Sequence, residues 1–106
     1  MDKRKLPTPK ELMELSNKGK EEFKQIVLNG KTFKEIIACI EESALKGYTG
    51  WQRKIYSDSN LRELRVIRDY LNENGYFCGI KTEKKVGALG LAYYENYFRV
   101  NWDNQK

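Results

Sequence analysis

The sequence contains no histidine, so it lacks the side chain that most often acts as a general acid or base near neutral pH. The adjacent carboxylates Glu41 and Glu42 would diverge by about 100° on a helix, which leaves no paired acid and base. The two cysteines are far apart and cannot supply a zinc site on their own. We therefore expect a protein that is not an enzyme and that has no catalytic residue, no bound metal and no cofactor.

Cys39 and Cys78 each lie inside a short apolar run, IIACI and YFCGI respectively. Free cysteine behaves there as a small hydrophobic residue, and we expect two buried thiols. A disulfide or a reactive thiol is the alternative that the spacing leaves open.

Long apolar runs are also missing, and the longest stretches fall far below the roughly 18 residues that a membrane-spanning helix needs. The N-terminus is basic but has no apolar segment after its charges, so it does not resemble a secretory signal. We expect no membrane partner and an intracellular, cytoplasmic location. With 106 residues, 40% of them apolar and 33% charged, the chain should form a single globular domain.

The charge balance is moderately basic, with 20 Lys+Arg against 15 Asp+Glu and a formal net charge of +5. Such a balance favours an anionic partner: nucleic acid, a nucleotide or an acidic protein surface. The alternative is a solvated, lysine-rich surface with no partner.

Residues 1–7 are expected to form a flexible basic arm, and residues 8–106 the domain. Thr8, Pro9 and Glu11 together indicate a helix start with a capping box. The Asn17–Gly19 stretch should end or kink this helix, so residues 8–30 form a helical lead-in of one bent helix or two short ones.

Residues 32–102 carry the pattern of a core unit. Thr32 and Glu35 indicate a second capping box, and Gly47 should stop the helix that follows. A short strand, firm only at residues 53–56, leads to a helix that begins at Asn60 and that Asn74 and Gly75 should end. Further strands are predicted at residues 76–81 and 93–102, separated by a polar turn at 82–85 and a glycine-containing connection at 86–91. The sequence thus predicts an α+β fold with a helical N-terminal lead-in and an α-β-α-β-β unit, its small sheet packed on helices.

Three pieces of this unit occur together in a known type of protein. They are the helix end Ser-Ala-x-x-Gly (43–47), the helix-to-strand junction from Leu71 to Tyr76, and the closing strand YFRVNW. In this combination the chain resembles small phage- and prophage-encoded accessory proteins. The resemblance implies an α+β module in the cytoplasm of an infected or lysogenic bacterial host, with a role in host interaction, anti-defence or virion assembly. It carries over no functional residue.

Aromatic and cationic residues follow one another closely in the middle of the chain. Aromatic rings stack on bases and arginine binds phosphate oxygens, so this basic-aromatic set is the candidate binding surface. The alternative is that the aromatic residues are core and the arginines form helix salt bridges. The candidate binding residues are Lys46, Tyr48, Trp51, Arg53, Lys54, Tyr56, Arg62, Arg65 and Arg68.

Tyr93, Tyr94 and Tyr97 are candidate interface residues for a homo-oligomer, because surplus tyrosine on a small sheet often marks an interface. Ordinary core packing is the alternative. Residues 86–91 are either a glycine-rich ligand loop or a hairpin connection. The hypothesis for function is a non-enzymatic accessory protein that engages a host or defence component, either a nucleoprotein effector or an anionic nucleotide. The alternatives are a direct nucleic-acid-binding protein and a virion structural or assembly protein.

Overall fold

The structure, a computed structural model, describes residues 6–103 as three helices and one three-stranded antiparallel sheet. β3 is the central strand, with β1 on one side and β2 on the other. The predicted α+β class and order of elements are confirmed. Most of the predicted basic arm lies outside the described residues. The elements are α1 (Pro9–Leu28), α2 (Lys31–Leu45), β1 (Gly50–Ile55), α3 (Leu61–Glu73), β2 (Phe77–Val86) and β3 (Ala92–Asn101).

The lead-in is a single continuous helix, α1. Its predicted capping box is present: the Thr8 side chain accepts from the Glu11 backbone N–H at 3.1 Å, and the Glu11 carboxylate accepts from the Thr8 N–H at 3.1 Å. The predicted end of the helix at residues 17–19 is wrong, because α1 continues through this stretch. A glycine in a helix costs about 1 kcal/mol relative to alanine, and the flanking lysines and glutamates are good helix formers, so Gly19 alone does not end the helix.

The start of α2 also differs from the prediction. Its N-cap is Gly30, which has no side chain to donate or accept, and not Thr32. The reason is the short link after α1: only Asn29 and Gly30 separate the two helices. A Cβ at Gly30 would lie 3.2 Å from the carbonyl oxygens of Ile26 and Val27, so the tight turn favours glycine there.

α2 and α3 end in the same way, as the glycines at 47 and 75 predicted. Both glycines have positive φ, +89° and +91°. The N–H of the aromatic residue that follows each one, Tyr48 or Tyr76, bonds back to the third-last carbonyl of the helix. This is a Schellman motif, and it turns the chain directly from each helix toward a strand. The Leu71-to-Tyr76 junction is therefore a helix stop.

β1 and β2 are longer than predicted, whereas β3 has the predicted length, shifted by one residue. β1 already begins at Gly50, and the polar segment 82–85, predicted as a turn, is part of β2. It pairs with residues 93–96 of β3, and the Thr82 hydroxyl donates to the Asn96 side-chain oxygen at 2.6 Å. The actual turn is residues 87–91, where Gly90 has a φ of +76° and the Gly87 N–H bonds to the Leu91 carbonyl. Residues 86–91 are thus a hairpin connection.

Both helices α2 and α3 pack on one face of the sheet. Ile36, Ile67, Phe98 and Val100 are completely inaccessible to solvent at the centre of this core. Phe98 and Val100 both belong to the central strand, β3. The remaining buried core residues are Val27, Ile40, Ile55, Leu64 and Leu71.

Two parts of the chain extend away from this body, and the molecule measures 64 × 39 × 28 Å. Every residue from 6 to 22 is exposed, so α1 contacts the core only through its last turns, at Phe23 and Val27. The second projection is the distal half of the β2–β3 hairpin, because β1 pairs with β3 only from Asn96 to Asn101. Its tip exposes Leu89 and Leu91 at 88% and 71%.

Candidate functional site

The nine candidate binding residues do not form one surface. At the corner between α2 and β1, Lys46 forms an ion pair with Glu42 at 3.0 Å, and Tyr48 is exposed nearby. Trp51 is half-buried and packs against the core, as expected if it is a core residue and not part of a binding surface. These three residues are separate from the arginines of α3.

The three arginines of α3 point in different directions. A step of three residues turns a helix by about 60°, so Arg62 and Arg68 are about 120° apart around the axis. The Arg62 guanidinium lies 3.8 Å from the centre of the Phe23 ring on α1, while Arg68 pairs with Asp69 at 3.0 Å. Of these three arginines, only Arg65 has no ion pair or ring contact with another residue in the range 6–103. It is therefore the arginine of this helix that is free to bind a ligand.

Arg65 lies beside a notch in the edge of the sheet, a groove of about 610 Å³. It brings together side chains from three elements that are distant in sequence. Its walls are Lys54 and Tyr56 at the end of β1, Arg65 at the start of α3, and Tyr94 on β3. Three candidate binding residues thus meet two candidate interface residues, Tyr94 and Tyr93, at one place. We call this groove the notch.

The local chain explains why the notch exists. β1 stops at Ile55 because the next residues form a turn, in which the Tyr56 N–H donates to the Ser59 hydroxyl at 3.0 Å. Asn60 then caps α3 by accepting from the Glu63 N–H at 3.1 Å, as the sequence predicts. Arg65 follows about one turn later, which places it beside the end of β1.

Because β1 ends early, β3 has an open edge at residues 92–95. Adjacent residues of an antiparallel strand direct their N–H and C=O groups to opposite sides. The Trp102 N–H bonds to Thr49 on the β1 side, so the even-numbered residues of β3 face β1. The backbone groups of Ala92 and Tyr94 therefore lie along this open edge without a strand partner among the described residues, and Tyr94 lines the notch. They add donors and acceptors to its cationic and aromatic side chains.

The charges around the notch are unevenly neutralised. The Lys54 ammonium lies 3.5 Å from the Glu95 carboxylate and 5.2 Å from the centre of the Tyr56 ring. Arg53 is exposed and lines a smaller neighbouring groove of about 320 Å³, together with Asn60. The unpaired charge in the notch is consequently that of Arg65.

The candidate interface tyrosines lie on two faces. Tyr93 and Tyr97 are on the face of the sheet that no helix covers, whereas Tyr94 is on the helix side. The Tyr97 hydroxyl donates to Glu95 at 2.6 Å, which lowers the pKa of Glu95 and raises the pKa of Tyr97. Tyr97 and then Glu83 raise the pKa of Lys85, whose ammonium is 5.8 Å from the Tyr97 ring.

Both cysteines are free and half-buried, less enclosed than predicted. Burial raises the pKa of the Cys78 thiol to about 12. Because the thiolate is the reactive form, Cys78 is a poor nucleophile at neutral pH. Among residues 6–103, no three carboxylates or thiols come together as a metal-binding group.

Two polar side chains missed by the sequence reasoning close the outer edges of the sheet. The Ser43 hydroxyl donates to the Gly50 carbonyl on β1 at 3.2 Å. The Asn72 amide forms two bonds with Cys78 on β2, accepting from its N–H at 2.8 Å and donating to its C=O at 3.0 Å. Only the strand register reveals these roles, which is why no sequence signal pointed to them.

Comparison with family models, with curated proteins and with solved structures finds no match to this chain. None of the helices within residues 6–103 combines the length and apolar character needed to cross a membrane. The notch geometry and the charge pattern are therefore what bear on function.

Proposed function

We propose that the protein is a non-enzymatic accessory binding protein of the phage or prophage type, and that it engages an anionic nucleotide at the notch. The nucleotide is either free or part of a host or defence component. The observation that supports this most directly is the meeting of an unpaired arginine with exposed tyrosines in one groove. Arg65 offers a planar fork for phosphate oxygens, and Tyr56 and Tyr94 offer ring faces for a base.

The size and polarity of the notch support this ligand class. Its volume of about 610 Å³ lies within the usual range of small-molecule sites. The open backbone groups of Ala92 and Tyr94 can bond the polar edge of a base, as a strand partner would. Lys54 adds a second cation on the β1 side, although Glu95 shares its charge.

The test is nuclear magnetic resonance of the ¹⁵N-labelled protein with a panel of adenine and guanine 5′-monophosphates, linear dinucleotides and cyclic dinucleotides. Binding at the notch should shift the backbone signals of Ser57, Tyr94 and Asn96. Arg65→Gln should weaken binding about 10- to 150-fold, since charge-assisted hydrogen bonds contribute roughly 1.5–3 kcal/mol. Lys20→Gln removes the same charge from exposed α1 and serves as the control. Equal losses in both variants, or no shifts with any nucleotide, would contradict the proposal.

A second candidate is a virion structural or assembly protein. It is favoured by the apolar residues that both projections leave in solvent: Leu12 and Leu15 on α1 are 48% and 62% exposed, and Leu89 at the hairpin tip is 88% exposed. Exposed apolar groups of this kind often mark contacts between chains. Light scattering after size-exclusion chromatography, up to millimolar protein, should then detect a defined oligomer that Leu15→Glu dissociates. A monomer at every concentration would exclude this candidate.

A further inference from the structure

The face of the sheet opposite the helices carries a second arrangement of aromatic and cationic side chains. Residues of β3 alternate between the faces, and Phe98 and Val100 point into the core. Tyr93, Tyr97 and Arg99 therefore point the other way, into solvent. The register adds residues from the neighbouring strands, and we call the resulting surface the open face. It consists of Gln52, Lys54, Phe77, Lys81, Glu83, Lys85, Tyr93, Glu95, Tyr97 and Arg99.

Three aromatic rings lie in a row along this face. Tyr93 and Tyr97 are four residues apart on β3, and Phe77 pairs with Asn101, four residues farther on. At about 3.4 Å per residue, the row is about 27 Å long with one aromatic ring every 14 Å or so. Phe77 is 59% exposed and Tyr93 46% exposed. Because burying an apolar ring is favourable, the exposed ring of Phe77 is available to stack on a ligand.

Cations flank the row on both sides. In the register, Lys81 and Lys85 of β2 are opposite Tyr97 and Tyr93, and Lys54 of β1 is opposite Tyr97 from the other side. The two carboxylates of the face are already engaged: Glu83 lies 3.5 Å from Arg99 and 3.6 Å from Lys85, and Glu95 bonds Tyr97 and Lys54. Four cations against two carboxylates leave the face positive, and Lys81 has no ion pair among residues 6–103.

From this arrangement we propose that the open face binds single-stranded nucleic acid. Bases stack on Phe77, Tyr97 and Tyr93, and the phosphates between them contact Lys81, Lys85 and Arg99. Aromatic rings on an exposed sheet with cations beside them are a recurrent platform for unpaired bases. Two copies of this chain meeting face to face would oppose like charges, which disfavours self-association here. Paired bases cannot reach the rings, so a duplex binds only through its phosphates.

The site goes beyond the nucleotide proposal because its row of aromatic rings lies on the other face of the sheet. Lys54, Tyr93 and Glu95 belong both to the open face and to the lining of the notch, but two key residues of the open face can be changed without touching the notch. Neither Phe77 nor Lys81 lines the notch. Loss of binding in variants of these two residues with nucleotide binding retained would separate the two sites.

The experiment is fluorescence polarisation with a 5′-fluorescein-labelled 12-nucleotide mixed-sequence strand, as DNA and as RNA, and with the matching duplex, from 20 to 200 mM NaCl. Phe77→Ala should weaken single-strand binding about 5- to 150-fold, the effect of one lost stacking contact. Lys81→Ala should lower the slope of log affinity against log salt by about 1. Retention of RNA alone, DNA alone or both identifies the strand that is recognised.

Lys20→Ala on α1 is the matched control, since it removes one exposed cation that has no ion pair among the described residues. It should leave the affinity and the salt slope unchanged. Circular dichroism checks that the Phe77→Ala variant remains folded, as its exposed position leads us to expect. The proposal is overturned if no single strand is retained at 20 mM NaCl, if the duplex binds equally well, or if Phe77→Ala binds like the parent protein.

Discussion

The packed body and the two projections of this protein differ in how far their apolar side chains are buried. In the body, α2 and α3 place residues such as Ile36 and Ile67 at 0% exposure against the sheet. In the projections, apolar residues of similar size remain in solvent, for example Leu15 on α1 at 62% and Leu89 on the hairpin at 88%. Burial of apolar side chains therefore stabilises the body, whereas the two projections contribute little to the stability of the fold. The notch lies where the hairpin leaves the body, and the open face runs along the sheet from the body onto the hairpin.

The largest effect is expected from Ile67→Ala, which removes a fully buried side chain from the centre of α3. The lost transfer energy and the cavity should lower the free energy of unfolding by about 2–5 kcal/mol. Leu12→Ala on α1 should change it by less than about 0.5 kcal/mol, because that side chain is already half-exposed. Urea denaturation followed by tryptophan fluorescence measures both. Similar losses in the two variants would mean that α1 is part of the cooperative core.

An intermediate effect is expected at the outer edge of the body, where α3 contacts β2. Asn72→Ala removes the two hydrogen bonds that hold the Cys78 backbone at the edge of β2. Water can replace them at this exposed edge, so the free energy of unfolding should fall by only about 1 kcal/mol. Hydrogen exchange should locate the change, with faster exchange of the Cys78 amide than in the parent.

Asn72→Asp separates the two hydrogen bonds of Asn72, because the carboxylate still accepts from the Cys78 N–H but cannot donate to its C=O. Protection of the Cys78 amide should survive in this variant and be lost in Asn72→Ala. If both variants exchanged at the parent rate, the Asn72 side chain would have no part in holding the edge of β2.

The features that could be predicted from the sequence are those formed by residues close to one another along the chain. The Thr8 cap, the Asn60 cap and the stops at Gly47 and Gly75 each involve residues within a turn of one another, and all four predictions are confirmed. The predicted start of α2 was wrong because the tight turn after α1, and not the local sequence at Thr32, determines where the helix begins. The polar segment 82–85 was predicted as a turn, but it forms a strand because it pairs with residues 93–96 of β3.

The candidate sites depended on register and could be predicted only in part. Lys54, Tyr56 and Arg65 were predicted as members of a set, but the set was chosen by closeness in sequence. Tyr94 joins them because β1 is six residues long and β3 ten, a difference that appears only when the strands are aligned. The same alignment separates Tyr94 from Tyr93 and Tyr97, since neighbouring residues of a strand face opposite ways.

The smallest effect is expected in the α1 projection, from Gly19→Ala. A Cβ at this position would meet nothing within 4 Å, and the backbone is already helical, so alanine should favour the helix by up to about 1 kcal/mol. Because residues 6–22 do not contact the core, most of this gain should appear as local helix stability. Amide exchange in the first three turns of α1 should slow severalfold, while the urea midpoint of the whole protein changes little.

Gly75→Ala is the matched control in the body: the φ of +91° at this position strains any side chain, so the same substitution should lower the midpoint there. A large rise in the midpoint for Gly19→Ala would show that α1 unfolds together with the body, and the distinction between body and projection would then fail for α1.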